Sequence, residues 1–150
     1  MTAEGLGPVV FAYDGSELAR GAIDEAARQL GPGRDAMVLT VWRPADVGFI
    51  PAADLEIDAA RSDEVRRAAE TTAADGASLA EAAGFRAQSA TTEAAPTWKG
   101  IVDFAEEHDA SLIVLGSHGR SGLASILIGS VASAVAGHCG VPVLIAHCRG

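Results

Sequence analysis

Short apolar runs alternate along the chain with longer stretches in which small apolar residues recur at helical spacing. Four of the runs are almost continuously apolar: Pro8–Tyr13, Ala36–Trp42, Leu112–Leu115 and Val141–Ala146. A fifth run, Phe85–Ala90, is more polar and is expected at an edge of the sheet. Because strands without an alternation of apolar and polar positions are buried on both faces, the pattern predicts a parallel sheet covered by helices.

Four helices are predicted between these strands. The first carries an apolar stripe at helical spacing, formed by Ala19, Ala22, Ile23, Ala26, Ala27 and Leu30. The longest is predicted from Asp58 to Ala83, with one face formed by Val65, Ala68, Ala69, Thr72, Ala73, Gly76, Leu79 and Ala83. The third contains Pro96, which suits a first helical turn. The fourth is expected to bury Ile128, Val131, Ala132 and Val135.

One long segment shows no clear period. Arg43–Ile57 contains two prolines and a glycine, so a loop is predicted there. Its composition leaves open whether the loop is a lid or a surface for a partner.

The order of the elements predicts the fold. Strands and helices alternate from start to finish, which predicts a single α/β domain over residues 1–150. Right-handed crossovers favour a doubly wound, Rossmann-like sheet of five parallel strands in the order 3-2-1-4-5, with helices on both faces. Ligands in such sheets bind at the carboxyl ends of the strands where the chain reverses direction, here strands 1 and 4. The loops that meet there are Ala12–Ser16 and Gly116–Arg120.

The second of these loops opens a glycine-rich segment. Gly116, Gly119 and Gly129-Ser130 follow the spacing G-x2-G-x9-G-S, directly after an apolar strand and before a helical stretch. Glycine lets a backbone approach a ligand closely, and a helix N-terminus presents N–H groups and a positive dipole end that suit a phosphate. The pattern therefore predicts a phosphate-binding loop where the topology places a ligand. A flexible connection between strand and helix is the alternative interpretation of the glycines.

Charge and composition narrow the range of partners. The chain has 11 basic and 20 acidic residues and a net charge of -9, which opposes non-specific binding to nucleic acid because that needs a basic face. No run approaches the ~20 apolar residues of a membrane span. Met1–Gly5 lacks the basic and apolar regions of a signal peptide. We therefore expect a cytoplasmic protein without membrane or nucleic-acid partners.

The two cysteines give little indication of chemistry. Cys139 and Cys148 are too few for a disulfide framework and are expected as reduced thiols. His138 and His147 lie close to them in the sequence, so a metal site is an alternative, but the four residues do not follow an ordered Cys/His spacing.

The motifs also match a known family. Asp14-Gly15-Ser16 after the first strand, and Gly116–Arg120 with Gly129-Ser130 beyond it, resemble the universal stress protein family. The resemblance covers the whole chain, including the order of strands and helices and the final Val141–Ile145. Within the family, the glycine spacing marks the nucleotide-binding branch, and every motif position is intact here. The resemblance implies ATP as ligand, with Mg²⁺ bound to its phosphates, a role in the stress response, and a homodimer formed through strand Val141–Ala146. Cyclic AMP or another adenine nucleotide is the alternative ligand.

The resemblance also implies roles for individual residues. Gly116, Gly119, Gly129 and Ser130 would wrap the triphosphate, and Val41 would lie at the adenine through its backbone. The candidate binding residues are Ala12, Tyr13, Asp14, Val41, Gly116, His118, Gly119, Arg120, Gly129, Ser130 and Val131.

Some of these side chains have more than one interpretation. Asp14 would face either the ribose or a phosphate-bound Mg²⁺, and a plain helix-cap or turn role is the alternative. His118 and Arg120 are the nearest candidates for side-chain contact with phosphate, Arg120 being suited to a bidentate hold. Trp42 and Arg43 could border the adenine pocket or serve the core and the surface.

A nucleotide site does not by itself make an enzyme. The P-loop pattern G-x-x-x-x-G-K-[ST] is absent from the sequence, and its single lysine, Lys99, is distant from the glycine loop. The sequence therefore favours a nucleotide-dependent regulator or switch with little or no turnover and no assigned catalytic residue. A slow ATP hydrolase and a dimeric interaction module that binds no nucleotide are the alternatives.

Overall fold

A computed structural model describes residues 5–43, 55–117 and 128–147 of the chain. Strands and helices alternate along these residues. In chain order they are β1 (Val9–Ala12), α1 (Glu17–Leu30), β2 (Asp35–Trp42), α2 (Leu55–Ala82), β3 (Arg86–Glu93), α3 (Thr97–Glu107), β4 (Leu112–Gly116), α4 (Ser130–His138) and β5 (Val143–Ala146).

The strands form one parallel sheet in the order β3-β2-β1-β4-β5. β1 pairs with β2 on one side, with Ala12 opposite Leu39, and with β4 on the other, with Phe11 opposite Val114. The predicted doubly wound α/β fold and its strand order are therefore confirmed. The polar strand β3 lies at one edge, as predicted, and the apolar strand β5 lies at the other.

Alternate residues of the central strand point into two different cores. Val9 and Phe11 of β1 belong to a buried cluster with α1 and α2. Val10 belongs to a second cluster, with α3 and α4 on the opposite face of the sheet. The central strand β1 is thus buried on both faces, which explains why its sequence shows no alternation of apolar and polar residues.

Helix α2 differs from its prediction in two ways. It begins at Leu55, so the last three residues of the predicted loop Arg43–Ile57 are helical; they contain neither glycine nor proline to stop a helix. Residues 44–54 of that loop lie outside the described residues. The buried face of α2 is also narrower than predicted, because Leu79 is 41% exposed. Leu79 lies about 100° around the helix from the centre of the row that contacts the sheet, which is formed by Ala69, Ala73, Gly76, Ala77 and Ala80.

The fourth helix buries only half of its predicted residues. Ala132 and Val135 of α4 are buried, as predicted. Ile128 is 45% exposed because it precedes the first helical residue, Ser130, and Val131 is 37% exposed. Val131 neighbours the buried Ala132 in the helix and is therefore turned about 100° away from the core.

Smaller differences concern the ends of elements. β3 extends to Glu93, beyond the predicted end at Ala90, because it pairs with β2 along its whole length. Pro96 is the N-cap residue of α3 rather than part of its first turn. None of the helices described is both long enough and apolar enough to cross a membrane.

Candidate functional site

A cavity of about 420 Å³ opens at the carboxyl ends of the strands. Its lining residues come from the ends of β1, β2 and β4 and from the starts of α1, α3 and α4. The volume lies within the range of about 300–1,000 Å³ that is typical of small-molecule pockets. The cavity lies where β1 has β2 on one side and β4 on the other, which is the position that the predicted topology assigns to a ligand.

The turn between β1 and α1 forms one wall of this cavity. The Tyr13 N–H donates to the Leu39 carbonyl at 2.9 Å, and the Thr40 hydroxyl donates to the Tyr13 carbonyl at 2.9 Å. The Ser16 N–H donates to Asp14 Oδ1 at 2.9 Å. Gly15 between them has a φ of 82°, a conformation that favours glycine. These bonds hold the Asp14 carboxylate over the turn at the side of the cavity.

The side chain of Tyr13 packs on the opposite side of the sheet from α3 and α4. It is 4% exposed and belongs to the cluster formed with α1 and α2. A hydrogen bond to Tyr13 raises the pKa of the Arg20 guanidinium, with smaller contributions from Glu17 and Asp75. Tyr13 therefore joins the cavity wall to the packing between these two helices.

The segment from β4 to α4 forms a second wall. The Ser117 N–H donates to the Ala146 carbonyl at 2.8 Å, and the Gly129 N–H donates to the Ser117 carbonyl at 2.6 Å. The second bond fixes Gly129, the N-cap residue of α4, beside the end of β4. Gly116, Ser117, Gly129, Ser130 and Val131 all line the cavity.

The N-terminus of α4 lacks a side-chain cap. Gly129 makes no side-chain cap hydrogen bond, whereas in α1 the Ser16 hydroxyl accepts a bond from the Ala19 N–H at 3.2 Å. The first N–H groups of a helix have no partner within the helix, and the positive end of its dipole adds to their attraction for an anion. The cavity is therefore bordered by a surface suited to a phosphate.

The remaining wall, from β2 and α3, is apolar with a polar rim. Leu39 and Val41 of β2 and Ile101 of α3 provide the apolar part, and Arg43 and Thr97 lie beside them. Leu39, Val41 and Arg43 alternate along one face of the chain, so all three are directed to the α3 side. An apolar surface at one side and an uncapped helix terminus at another suit a ligand with an uncharged planar part and an anionic part.

Eight of the eleven predicted site residues line this cavity. They are Ala12, Tyr13, Asp14, Val41, Gly116, Gly129, Ser130 and Val131. The other three, His118, Gly119 and Arg120, lie outside the described residues. Arg43, for which a place beside the adenine pocket was one of three interpretations, also lines the cavity.

Sequence reasoning missed a second set of lining residues. They are Ala19, Leu39, Thr97, Ile101, Leu115 and Ala132. Ser16 and Ser117 also line the cavity, and both lie in the two loops that the sequence predicted to meet there. The order of the elements could have indicated Thr97 and Ile101. Helix α3 begins just after the carboxyl end of β3, which is at the same edge of the sheet as the glycine loop. The remaining residues have no motif and become lining residues only through the packing of neighbouring elements.

The described side chains include few candidate metal ligands near the cavity. Asp14 is the one carboxylate among the described lining residues. Within the ranges 5–43, 55–117 and 128–147, no group of three or more His, Cys, Asp or Glu residues could hold a metal ion.

Comparison with known sequences places the chain in a family. Residues 6–147 match the model of the universal stress protein family. The chain is 31% identical to the universal stress protein Rv2005c of Mycobacterium tuberculosis, over 93% of this chain and 45% of that protein. It is 30% identical to the universal stress protein YxiE of Bacillus subtilis, over 91% of this chain and 96% of that protein. The chain thus spans less than half the length of some curated relatives and nearly the whole of another.

Comparison with solved structures gives the same fold. The hypothetical protein MJ0577 has a TM-score of 0.80 at 23% identity, with 96% of this chain and 97% of that chain covered. A universal stress protein in complex with cAMP has a TM-score of 0.61 at 26% identity, covering 95% and 97% of the two chains. A universal stress protein from Archaeoglobus fulgidus in complex with dAMP has a TM-score of 0.57 at 26% identity, covering 93% and 97%.

Proposed function

The chain belongs to the universal stress protein family, and we propose that it is an ATP-binding regulator whose nucleotide occupies the cavity between β1 and β4. The observation that carries the proposal is the uncapped N-terminus of α4, which the Gly129–Ser117 hydrogen bond holds at the cavity. Related structures at 26% identity hold cAMP and dAMP. Both of these ligands join an adenine to a phosphate, the combination that the apolar and anion-attracting walls of this cavity suit.

We propose a place for each part of the nucleotide from the chemical character of the walls. In this proposal the phosphates lie against Gly116, Gly129 and Ser130, where the backbone N–H groups of the first turn of α4 and the Ser130 hydroxyl donate to their oxygens. The adenine lies against Val41 and Ile101. His118, Gly119 and Arg120, predicted as further phosphate contacts, lie outside the described residues, and in this proposal they complete the phosphate side.

Asp14 is the residue through which a cation would act. A carboxylate beside a polyphosphate is stable when a divalent cation lies between them, and Mg²⁺ is bound in this way by one or two carboxylates together with substrate phosphates. We therefore propose that Asp14 contacts Mg²⁺ carried by the ATP, or the ribose hydroxyls when the bound nucleotide carries no metal.

We further propose that nucleotide occupancy, rather than turnover, is the output of the protein. The sequence lacks the P-loop lysine and hydroxyl pattern, which in P-loop ATPases acts with a water-positioning residue. A change in occupancy alters the walls formed by α1, α3 and α4, and a stress-response partner would detect that change. A slow ATP hydrolase is the alternative, and it would require turnover that depends on Asp14.

We also propose that residues 1–150 form one domain and that two copies of the chain form a homodimer in the cytoplasm. β5 lies at an edge of the sheet, and Val143, Leu144 and Ile145 are each only half-buried. An apolar edge strand is an aggregation hazard unless a partner covers it. A second copy of strand Val141–Ala146 would provide that cover.

The first experiment identifies the ligand directly. The protein is purified without added nucleotide, denatured, and its released small molecules are identified by chromatography and mass spectrometry. The stripped protein is then titrated with ATP and Mg²⁺ in a calorimeter. Near-stoichiometric ATP, or clear heat on titration, is expected. Neither nucleotide nor heat would refute the proposal and favour an interaction module that binds no nucleotide.

Two valine substitutions, one at the N-cap residue of α4 and one within the helix, test the phosphate wall. Gly129 has φ −63° and ψ 163°, which valine adopts readily, so Gly129→Val should leave the fold intact while its side chain blocks the helix terminus. We expect ATP binding to be lost. Gly137→Val is the control, because nothing lies within 4 Å of a Cβ built there. Equal ATP affinity in the two variants, measured by calorimetry, would overturn this assignment of the phosphates.

A further inference from the structure

Thr40 is a polar residue on a buried, otherwise apolar face of β2. Ala36, Val38 and Thr40 share that face, and they are 2%, 0% and 8% exposed. The face packs in the cluster with α1 and α2, away from α3. Thr40 does not line the cavity. Burying a hydroxyl costs free energy unless it forms a hydrogen bond. The group that the Thr40 hydroxyl bonds to therefore indicates the role of the residue.

That partner is a backbone group of the cavity wall. The Thr40 hydroxyl donates to the Tyr13 carbonyl at 2.9 Å. Tyr13 lies one residue beyond the last register pair of β1 and β2, Ala12 with Leu39. The hydroxyl therefore fastens the backbone at the point where the chain leaves the sheet and turns towards α1.

The fastened peptide is the one that leads into Asp14. The Tyr13 carbonyl belongs to the peptide group whose nitrogen is that of Asp14, so a shift of this group moves the Asp14 Cα. The Asp14 carboxylate in turn accepts the Ser16 N–H at 2.9 Å, and the Ser16 hydroxyl accepts the Ala19 N–H at 3.2 Å. Thr40 is thus the buried end of a chain of hydrogen bonds that runs along the cavity wall to the start of α1.

We propose that Thr40 is a positioning residue of the nucleotide site, which holds the turn of residues 13–16 in its binding geometry before a ligand arrives. The inference rests on the proposed function. Its physical basis is pre-organisation: when only a fraction of the molecules has the binding-competent turn, the apparent affinity falls by that fraction. A hydroxyl that only stabilised the fold would change the unfolding midpoint and leave the affinity of the folded protein unchanged.

Two substitutions at this position separate the hydrogen bond from the packing. Thr40→Val keeps the branched shape and removes the donor, whereas Thr40→Ser keeps the donor. The matched control is Thr91→Val on β3, since Thr91 is the register partner of Thr40 and does not line the cavity. All three variants are compared with the wild type as full chains.

The first measurement is the exchange of backbone amides in the nucleotide-free protein. We expect Thr40→Val to speed exchange in peptides that cover residues 13–16, while Thr40→Ser and Thr91→Val leave it unchanged. Calorimetry with ATP and Mg²⁺ is then expected to show an affinity about tenfold weaker for Thr40→Val, and near wild-type values for the other two variants.

The outcomes distinguish this inference from the proposed function. A wild-type protein that binds no ATP would overturn the proposed function, and the exchange data would still decide whether Thr40 orders the turn. Wild-type binding with unchanged affinity and exchange in Thr40→Val would overturn the positioning role alone. Equal losses of ATP affinity in Thr40→Val and Thr91→Val would also overturn the positioning role, because they would indicate a general weakening of the sheet.

Discussion

A glycine in the middle of α2 allows that helix to approach the sheet closely. A Cβ built on Gly76 would lie 2.6 Å from Cδ1 and 2.9 Å from Cε1 of Tyr13, and 2.7 Å from Cγ1 of Val38. Carbon atoms in proteins do not approach so closely, so Gly76→Ala must displace the Tyr13 ring, the Val38 side chain or the helix. Gly21 of α1 is the natural control, because nothing lies within 4 Å of its Cβ position.

Two opposing effects decide how much Gly76→Ala changes the free energy of unfolding. Replacing a helical glycine by alanine stabilises a helix by ~1 kcal/mol, and at Gly21 this effect acts alone. At Gly76 it is offset by an overpacking cost of about 1–3 kcal/mol. We therefore expect Gly21→Ala to be more stable than the wild type and Gly76→Ala to lie about 1–3 kcal/mol below Gly21→Ala. For a chain of this length that difference corresponds to roughly 2–12 °C in the unfolding midpoint.

Urea and thermal unfolding followed by circular dichroism would measure both variants. Equal stabilisation by the two alanines would refute the close-packing argument. The double variant Gly76→Ala with Val38→Ala gives a further check, since removing the Val38 methyl groups relieves part of the overlap. The double variant should therefore lose less stability than the sum of the losses in the two single variants. If the changes in the free energy of unfolding were strictly additive, Val38 would not contribute to the overlap with the new methyl group.

The remaining predictions concern the two edges of the sheet. At the start of β3, Arg86 lowers the pKa of Asp35 through a hydrogen bond at 2.6 Å. A carboxyl whose pKa is lowered on folding stabilises the protein above its ordinary pKa of about 4 and loses this contribution as the pH falls. The unfolding midpoint of Asp35→Asn should therefore depend less steeply on pH below about 4 than that of the wild type, and parallel curves would contradict the pairing. The effect is small because the pair is exposed. At the other edge, Val143→Asp should yield monomer or insoluble protein, and an unchanged dimer mass in light scattering would argue against assembly through β5.

Much of the fold could be predicted because the relevant signals are local. Apolar runs such as Leu112–Leu115 identify buried strands without any knowledge of the tertiary structure, and the handedness of crossovers then limits the sheet to few topologies. The glycine spacing and the strand order indicated the same edge of the sheet independently. That Gly116, Gly129 and Ser130 line a cavity at this edge was therefore predictable.

The features that could not be predicted depend on how the elements pack. Leu79 was predicted on the buried face of α2 from its spacing along the helix. The small residues of α2, such as Ala73 and Gly76, are the ones that let the helix approach the sheet. Val131 was predicted both as a core residue of α4 and as a binding residue, and only the second prediction agrees with its 37% exposure at the cavity. Thr40 is a polar residue in a buried strand, and only the position of the Tyr13 carbonyl explains it.

The two edges of the sheet differ in a way that limits how many copies can assemble. β3 exposes Arg86, Gln88, Ser89 and Glu93, whereas β5 presents Val143, Leu144 and Ile145. A sheet with two apolar edges can add copies at both ends and grow into a fibre. In the proposed homodimer only the β5 edge would pair, so the two copies would use the same surface twice. That dimer would be closed, with a polar strand β3 at each outer end to resist further growth.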